Sequence, residues 1–85
     1  VGDPRIDAMR ETTLNVLAKI DPELTMHDFR VVEGERRINL IFDVVAPFGY
    51  SEEKKEDLKT RIQIGLKARD KRYCPVITME HKMTL

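Results

Sequence analysis

The segment from His27 to Pro47 constrains this chain more than any other. It reads His27-Asp28-Phe29-Arg30-Val31-Val32-Glu33-Gly34 and then, after Glu35-Arg36-Arg37, Ile38-Asn39-Leu40-Ile41-Phe42-Asp43-Val44-Val45-Ala46-Pro47. Successive side chains of an extended strand point to opposite faces. From Ile38 to Ala46 one alternate set, Ile38, Leu40, Phe42, Val44 and Ala46, is apolar throughout. The other set, Asn39, Ile41, Asp43 and Val45, is half apolar. A strand with one face in water does not look like this, so something is expected to pack on each side of it. Leu24 to Val32 reads as the partner strand. Strict alternation puts Thr25, His27, Phe29 and Val31 on one face and Met26, Asp28, Arg30 and Val32 on the other. Glu33-Gly34-Glu35-Arg36 supplies the turn chemistry between the two.

The flanks carry helical signals. Asp3-Pro4 is an N-cap acceptor followed by a proline suited to the first helical turn. Ile6, Met9, Thr13, Val16, Leu17 and Ile20 then recur at spacings that gather on one face, and Asp21-Pro22 ends the helix. Beyond the loop Pro47-Phe48-Gly49-Tyr50, Ser51 caps a second helix whose buried stripe is Leu58, Ile62 and Leu66. Gly65 beside that stripe weakens the helix by about 1 kcal/mol relative to alanine, which points to a close helix contact there. Pro75 to Met83 reads as a last strand. A helical crossover makes the second and third strands parallel. The expected fold is therefore α+β: a two-layer sandwich in the order α-β-β-α-β, with a three-stranded mixed sheet and two helices on one face.

Two helices cover only one side of such a sheet. Ile41 and Val45 would then lie on an apolar outer face, for which a homodimer is the simplest explanation and scattered surface residues the bland one. An 85-residue chain makes one domain with a small core, which gains from a partner surface. Lys plus Arg and Asp plus Glu are equal at 15 each, so a general nucleic-acid or anionic-membrane binder is not expected. The single cysteine, Cys74, allows no internal disulfide and fits a reducing, cytosolic setting. No run approaches the roughly 20 apolar residues that span a bilayer. No secretory signal is visible, and the start at Val1 rather than Met suggests an excised fragment.

Candidate chemistry rests on His27 and His81, the only two histidines, since neutral imidazole binds Zn²⁺ and related ions well. With the second strand in the middle, both stand at the same end of the sheet, on the order of 10 Å apart at the backbone. Asp28, Asp43 and Glu80 are the nearby carboxylates. The competing reading is a pair of solvated strand histidines. Cys74, between Tyr73 and Pro75, reads as a half-buried structural residue, and Met26, Met79 and Met83 as core filler. The basic end of the second helix reads as a match to the helix dipole. No nucleophile–base spacing or phosphate-cradling glycine loop marks an enzyme. The Cys-x-x-Cys loop of a metallochaperone is absent. An RNA-binding sheet would carry exposed aromatics and a basic field.

The succession of a helix, His27-Asp28-Phe29-Arg30 with Gly34, an apolar strand, a second helix and a short last strand runs from Ile6 to His81. In order and composition it resembles the soluble C-terminal domain of cation diffusion facilitator transporters, membrane proteins that export divalent metal ions. The resemblance implies a ferredoxin-like, metallochaperone-like domain over residues 1–85, excised from a larger transporter of the plasma (inner) membrane. Its partners would be a second copy of itself and its own transmembrane domain. Its function would be cytosolic dimerisation and regulation, including metal sensing, in an exporter of zinc or a related divalent cation. His27 matches the motif histidine, and His81 falls where relatives often carry His-x-Asp or Asp-His. The chain departs from the two-metal pattern at Ile41, at Met79 and at the histidine-free start of the second helix, so a full binuclear centre is not expected. A mononuclear site, a site completed by a dimer partner, and no site all stay open. The alternative is a soluble small-molecule-binding regulatory domain of the same architecture.

Overall fold

The computed structural model describes residues 2–81, with the backbone alone for His81. Helix α1 spans Pro4–Ile20, strands β1 and β2 span Thr25–Glu33 and Ile38–Ala46, helix α2 spans Glu52–Arg69, and β3 spans Tyr73–His81. The sheet order is β1-β2-β3, antiparallel between β1 and β2 and parallel between β2 and β3. The expected α+β sandwich is present. β3 begins at Tyr73, earlier than Pro75, and residues 82–83, which the sequence reading assigned to this strand, lie outside the described residues.

Local chemistry sets the helix ends. Asp3 is extended and accepts the Arg5 N–H at 2.9 Å, satisfying a donor that the first turn leaves free. Asp21 returns to extended backbone and donates its N–H to the Leu17 carbonyl. Ser51 caps α2 by accepting the Lys54 N–H at 3.0 Å. Gly49 sits at φ 100°, in the left-handed region where glycine carries no side-chain penalty.

The core lies between the helices and one side of the sheet. Leu40, Phe42, Val44 and Ala46 of β2 are fully buried, as are Ile62 and Leu66 of α2. From α1 the buried stripe is Met9, Thr13, Val16 and Leu17. The Thr13 hydroxyl donates to the Met9 carbonyl at 2.8 Å, so its burial leaves no polar atom unpaired. The α2 stripe contains one residue the periodicity did not suggest. Lys55 is 4% exposed and reaches the Glu52 carboxylate at 2.8 Å, its alkyl stem covered and its charge paired. Gly65 makes the close helix contact expected of it. A Cβ there would stand 2.8 Å from Cγ1 of Val16.

One expectation is corrected. His27, Phe29 and Val31 do not share a face. Asp28 has φ 55°, and the register passes from His27 opposite Asp43 to Arg30 opposite Ile41. Two residues of β1, Asp28 and Phe29, thus oppose Phe42 alone, which is a β-bulge. The extra residue reverses the alternation. Upstream of it Thr25 and His27 lie on the side away from the helices; downstream Phe29 and Val31 pack against the core, with the Phe29 and Phe42 ring centres 6.0 Å apart. Strict alternation failed because nothing in a run of strand-favouring residues announces an inserted one, although aspartate tolerates the left-handed conformation better than most.

Candidate metal-binding surface on the open sheet face

The sheet side that neither helix covers is organised in cross-strand rows. Thr25, Val45 and Glu80 form the row nearest the β2 C-terminus; His27, Asp43 and Thr78 form the next; Arg30, Ile41 and Val76 the third; Val32, Asn39 and Cys74 the last. His27 is exposed and Asp43 half-buried. As directly opposed residues of an antiparallel pair, their Cβ atoms are about 5 Å apart. Neither side chain hydrogen-bonds or ion-pairs with another described residue. An imidazole nitrogen and a carboxylate oxygen are both ordinary Zn²⁺ donors, and this spacing lets them converge on one ion.

The other candidates are distributed differently. Glu80 lies on β3, diagonal to Asp43 and across the sheet from His27. Asp28 is displaced from the His27–Asp43 row by the bulge, and its carbonyl accepts Arg30 Nη1 at 3.1 Å. The backbone of His81 takes the rung opposite Ala46, which belongs to the helix-covered alternate set, whereas the rung of His27 is opposite Asp43; the His81 side chain is outside the described residues. Among the described residues no three His, Cys, Asp or Glu side chains are grouped to hold a metal ion. His27 and Asp43 supply two donors in one row, short of the four ligands of a closed zinc centre.

A hollow of about 400 Å³ adjoins His27, lined also by Glu23, Thr25, Val45, Ala46 and Pro47. Glu23 was missed by sequence reasoning. It precedes the strand in a turn, and only the folding of β1 onto the end of β2 brings it beside His27.

A brace holds the two loops at this end of the sheet. The Tyr50 hydroxyl donates to Asp21 Oδ2 at 2.6 Å, and the Lys54 ammonium lies 3.9 Å from the centre of the Tyr50 ring. The Tyr50 hydrogen bond, helped by the Glu23 N–H, holds the Asp21 carboxyl below its ordinary range, and the same bond raises the Tyr50 phenol. At the opposite end Arg5 pairs with Glu33 at 2.8 Å and Arg72 with Asp70 at 2.7 Å. The Arg72 side chain and backbone N–H hold the Asp70 carboxyl down to about 2.

The remaining sequence candidates sit away from this row. Met26 and Met79 pack against the core as expected of filler; Met83 lies outside the described residues. Cys74 is half-buried, on the row farthest from the Glu80 end. Ile41, where the resembled family carries a histidine, is aliphatic and faces Arg30 across the ladder. With Val45, and with Val32 and Val76 at 54% and 50% exposure, it leaves apolar surface on the open face between Arg30, Asn39, Thr25 and Glu80.

The structure thus defines a two-layer α+β domain with a bare sheet face bearing a histidine–carboxylate pair. Known structures share this fold closely. A chain of CzrB, described as a zinc transporter, superposes with a TM-score of 0.81 at 17% identity, covering 98% of this chain and 99% of that one. A MamM C-terminal-domain variant gives 0.79 at 11% identity, covering 95% and 100%. The metal-bound C-terminal domain of the CzcD transporter from Thermotoga maritima gives 0.72 at 13% identity, covering 96% and 93%. No family model matches the sequence, and no curated protein matches it. Among the described residues no helix is long and apolar enough to cross a membrane.

Proposed function

We propose that residues 1–85 are the cytosolic C-terminal domain of a cation diffusion facilitator of the plasma (inner) membrane, acting as the dimerisation and regulatory unit of a divalent-cation exporter. The observation that carries this reading is the placement of His27 opposite Asp43 on the uncovered face of a fold that metal-transporter domains share. His27 and Asp43 would hold a Zn²⁺ or related ion, with Glu80 and Asp28 as further donors and a second copy of the chain completing the set; His81, on the other alternate set of its strand, would serve a different site. When bound, the ion supplies positive charge that offsets carboxylates brought together across the dimer. The chain's own part is to hold the imidazole and carboxylate at fixed spacing on a rigid ladder. Binding that prefers one spacing of the paired domains shifts the population toward it, and the attached transmembrane domain responds. The apolar residues around the row, Ile41, Val45, Val32 and Val76, supply contact area for the second copy.

Zinc titration by calorimetry, with mass followed in parallel, tests this reading. Micromolar or tighter uptake, weakened at least tenfold by His27→Ala and by Asp43→Asn, is the expected result. A stable dimer that takes up no metal would leave a dimerisation base without a sensor. A monomer without uptake would overturn the proposal.

A further inference from the structure

The outer surface of the helical layer carries a feature that neither the sheet nor the metal row uses. Ile64 of α2 is 65% exposed, the most exposed aliphatic side chain among the described core-size hydrophobics. It borders a groove of about 350 Å³ between the two helices, whose apolar walls are Val16, Ile20 and Ala68. Gly65 forms part of the floor, so the same missing side chain that brings the helices together also keeps the groove open.

The charged residues of this groove are all of one sign. Lys19, Arg61 and Arg69 line it, and no carboxylate does. The chain as a whole has a formal net charge of zero, so this is a local asymmetry. Arg61 pairs with Asp57 at 2.8 Å, but both are more than half exposed, and such an i,i+4 pair is weak and exchangeable. Lys67, one turn beyond Ile64, adds a further cation on the other flank. The helix dipoles account for basic residues in the last turns of α1 and α2. They do not account for an exposed isoleucine beside an apolar groove in their midst.

We infer that this groove docks an acidic amphipathic segment of a partner protein, with an apolar side chain seated beside Ile64 and flanking carboxylates paired with Lys19, Arg61 and Arg69. An open apolar groove between two helices takes side chains projecting from a helix or strand of a partner. A partner read by charge complementarity around an apolar anchor has the composition of an ordinary interface centre and rim.

The test uses the whole chain and a labelled synthetic helix bearing a leucine stripe flanked by glutamates. Fluorescence polarisation gives affinity, and amide shift mapping gives location. Binding should perturb Val16, Lys19, Ile64 and Ala68, weaken with salt, and fall about tenfold in Ile64→Ala. Ile64 is exposed, so this variant keeps the fold. Lys19→Gln with Arg69→Gln should lower affinity comparably while leaving zinc uptake unchanged, which separates this site from the metal reading. Three results would each overturn the inference: binding indifferent to Ile64→Ala, shifts confined to the sheet face, or tighter binding to phosphatidylglycerol–phosphatidylcholine vesicles than to the peptide.

Discussion

His27 and Asp43 are directly opposed across the β1–β2 ladder, and both lie on the face that the helices leave bare. Their spacing is fixed by backbone pairing, so it does not depend on a flexible loop. If this pair binds metal, the effects of changing each partner should be non-additive. His27→Ala and Asp43→Asn should each lower zinc affinity at least tenfold, and the double variant should lose little more than the worse single one. Thr78→Ala, in the same row without a strong donor, should leave affinity unchanged. Calorimetric titration of the parent and the four variants reads this directly.

The bulge makes a separate stability prediction. Asp28 occupies the left-handed region, which costs most residues about 1–2 kcal/mol. Asp28→Asn should be tolerated, and Asp28→Gly should be neutral or slightly stabilising. Asp28→Val should lose about 1–2 kcal/mol in urea unfolding, because a β-branched residue cannot take this backbone without strain.

Gly65 opposes helix propensity to packing. Gly65→Ala gains up to about 1 kcal/mol of propensity, but its Cβ would meet Val16 Cγ1 at 2.8 Å in a well-packed contact. Overpacking of this kind costs about 1–3 kcal/mol, so a net loss is expected in thermal unfolding. Pairing it with Val16→Ala removes the clash. The double variant should then be more stable than the two single losses added together predict.

Acid sensitivity follows from Asp70. Arg72 holds its carboxyl down to about 2, below the ordinary carboxylate range. A depressed carboxylate contributes stability that is fully present above the unfolded value and lost as pH falls through the folded one. Asp70→Asn should therefore lower Tm most at neutral pH, and the gap from the parent should close between about pH 4 and pH 2. Asp21, lowered by the Tyr50 hydrogen bond, and Glu33, lowered by Arg5, should add to the same acid limb.

The dimer reading has its own check. Val76→Glu puts a charge on a residue that is 50% exposed on the edge strand β3, beside Ile41 on the open face. It should leave thermal stability of the isolated domain nearly unchanged and shift sedimentation toward the monomer. A dimer that survives this change places its interface elsewhere.

Much of the fold was legible because its signals are local or periodic. The unbroken apolar set from Ile38 to Ala46 marked the central strand, Asp3-Pro4 and Ser51 marked the helix starts, and Gly65 marked the helix contact. What escaped was either one residue of register or a contact made by chain reversal. Asp28 gives no composition signal for a bulge, yet it changed the neighbours of His27. Glu23 reaches the His27 hollow only because the sheet folds its turn against Pro47. Lys55 falls outside the apolar stripe Leu58, Ile62 and Leu66, and its burial depends on the alkyl stem and a neighbouring carboxylate. The pairing of His27 with Asp43 rather than with another carboxylate could be read only once register was known.

The bulge divides β1 into two segments that answer to different demands. Upstream of Asp28, Thr25 and His27 face outward, where substitutions alter what the sheet meets; downstream, Phe29 and Val31 face the core, where substitutions alter whether the sheet holds. A single inserted residue works as a gear between two side-chain phases. Deleting Asp28 would re-phase the strand, turning either the histidine inward or Phe29 and Val31 into water. A library meant to retune ligand preference can vary Thr25 and His27 while Met26, Phe29 and Val31 stay fixed.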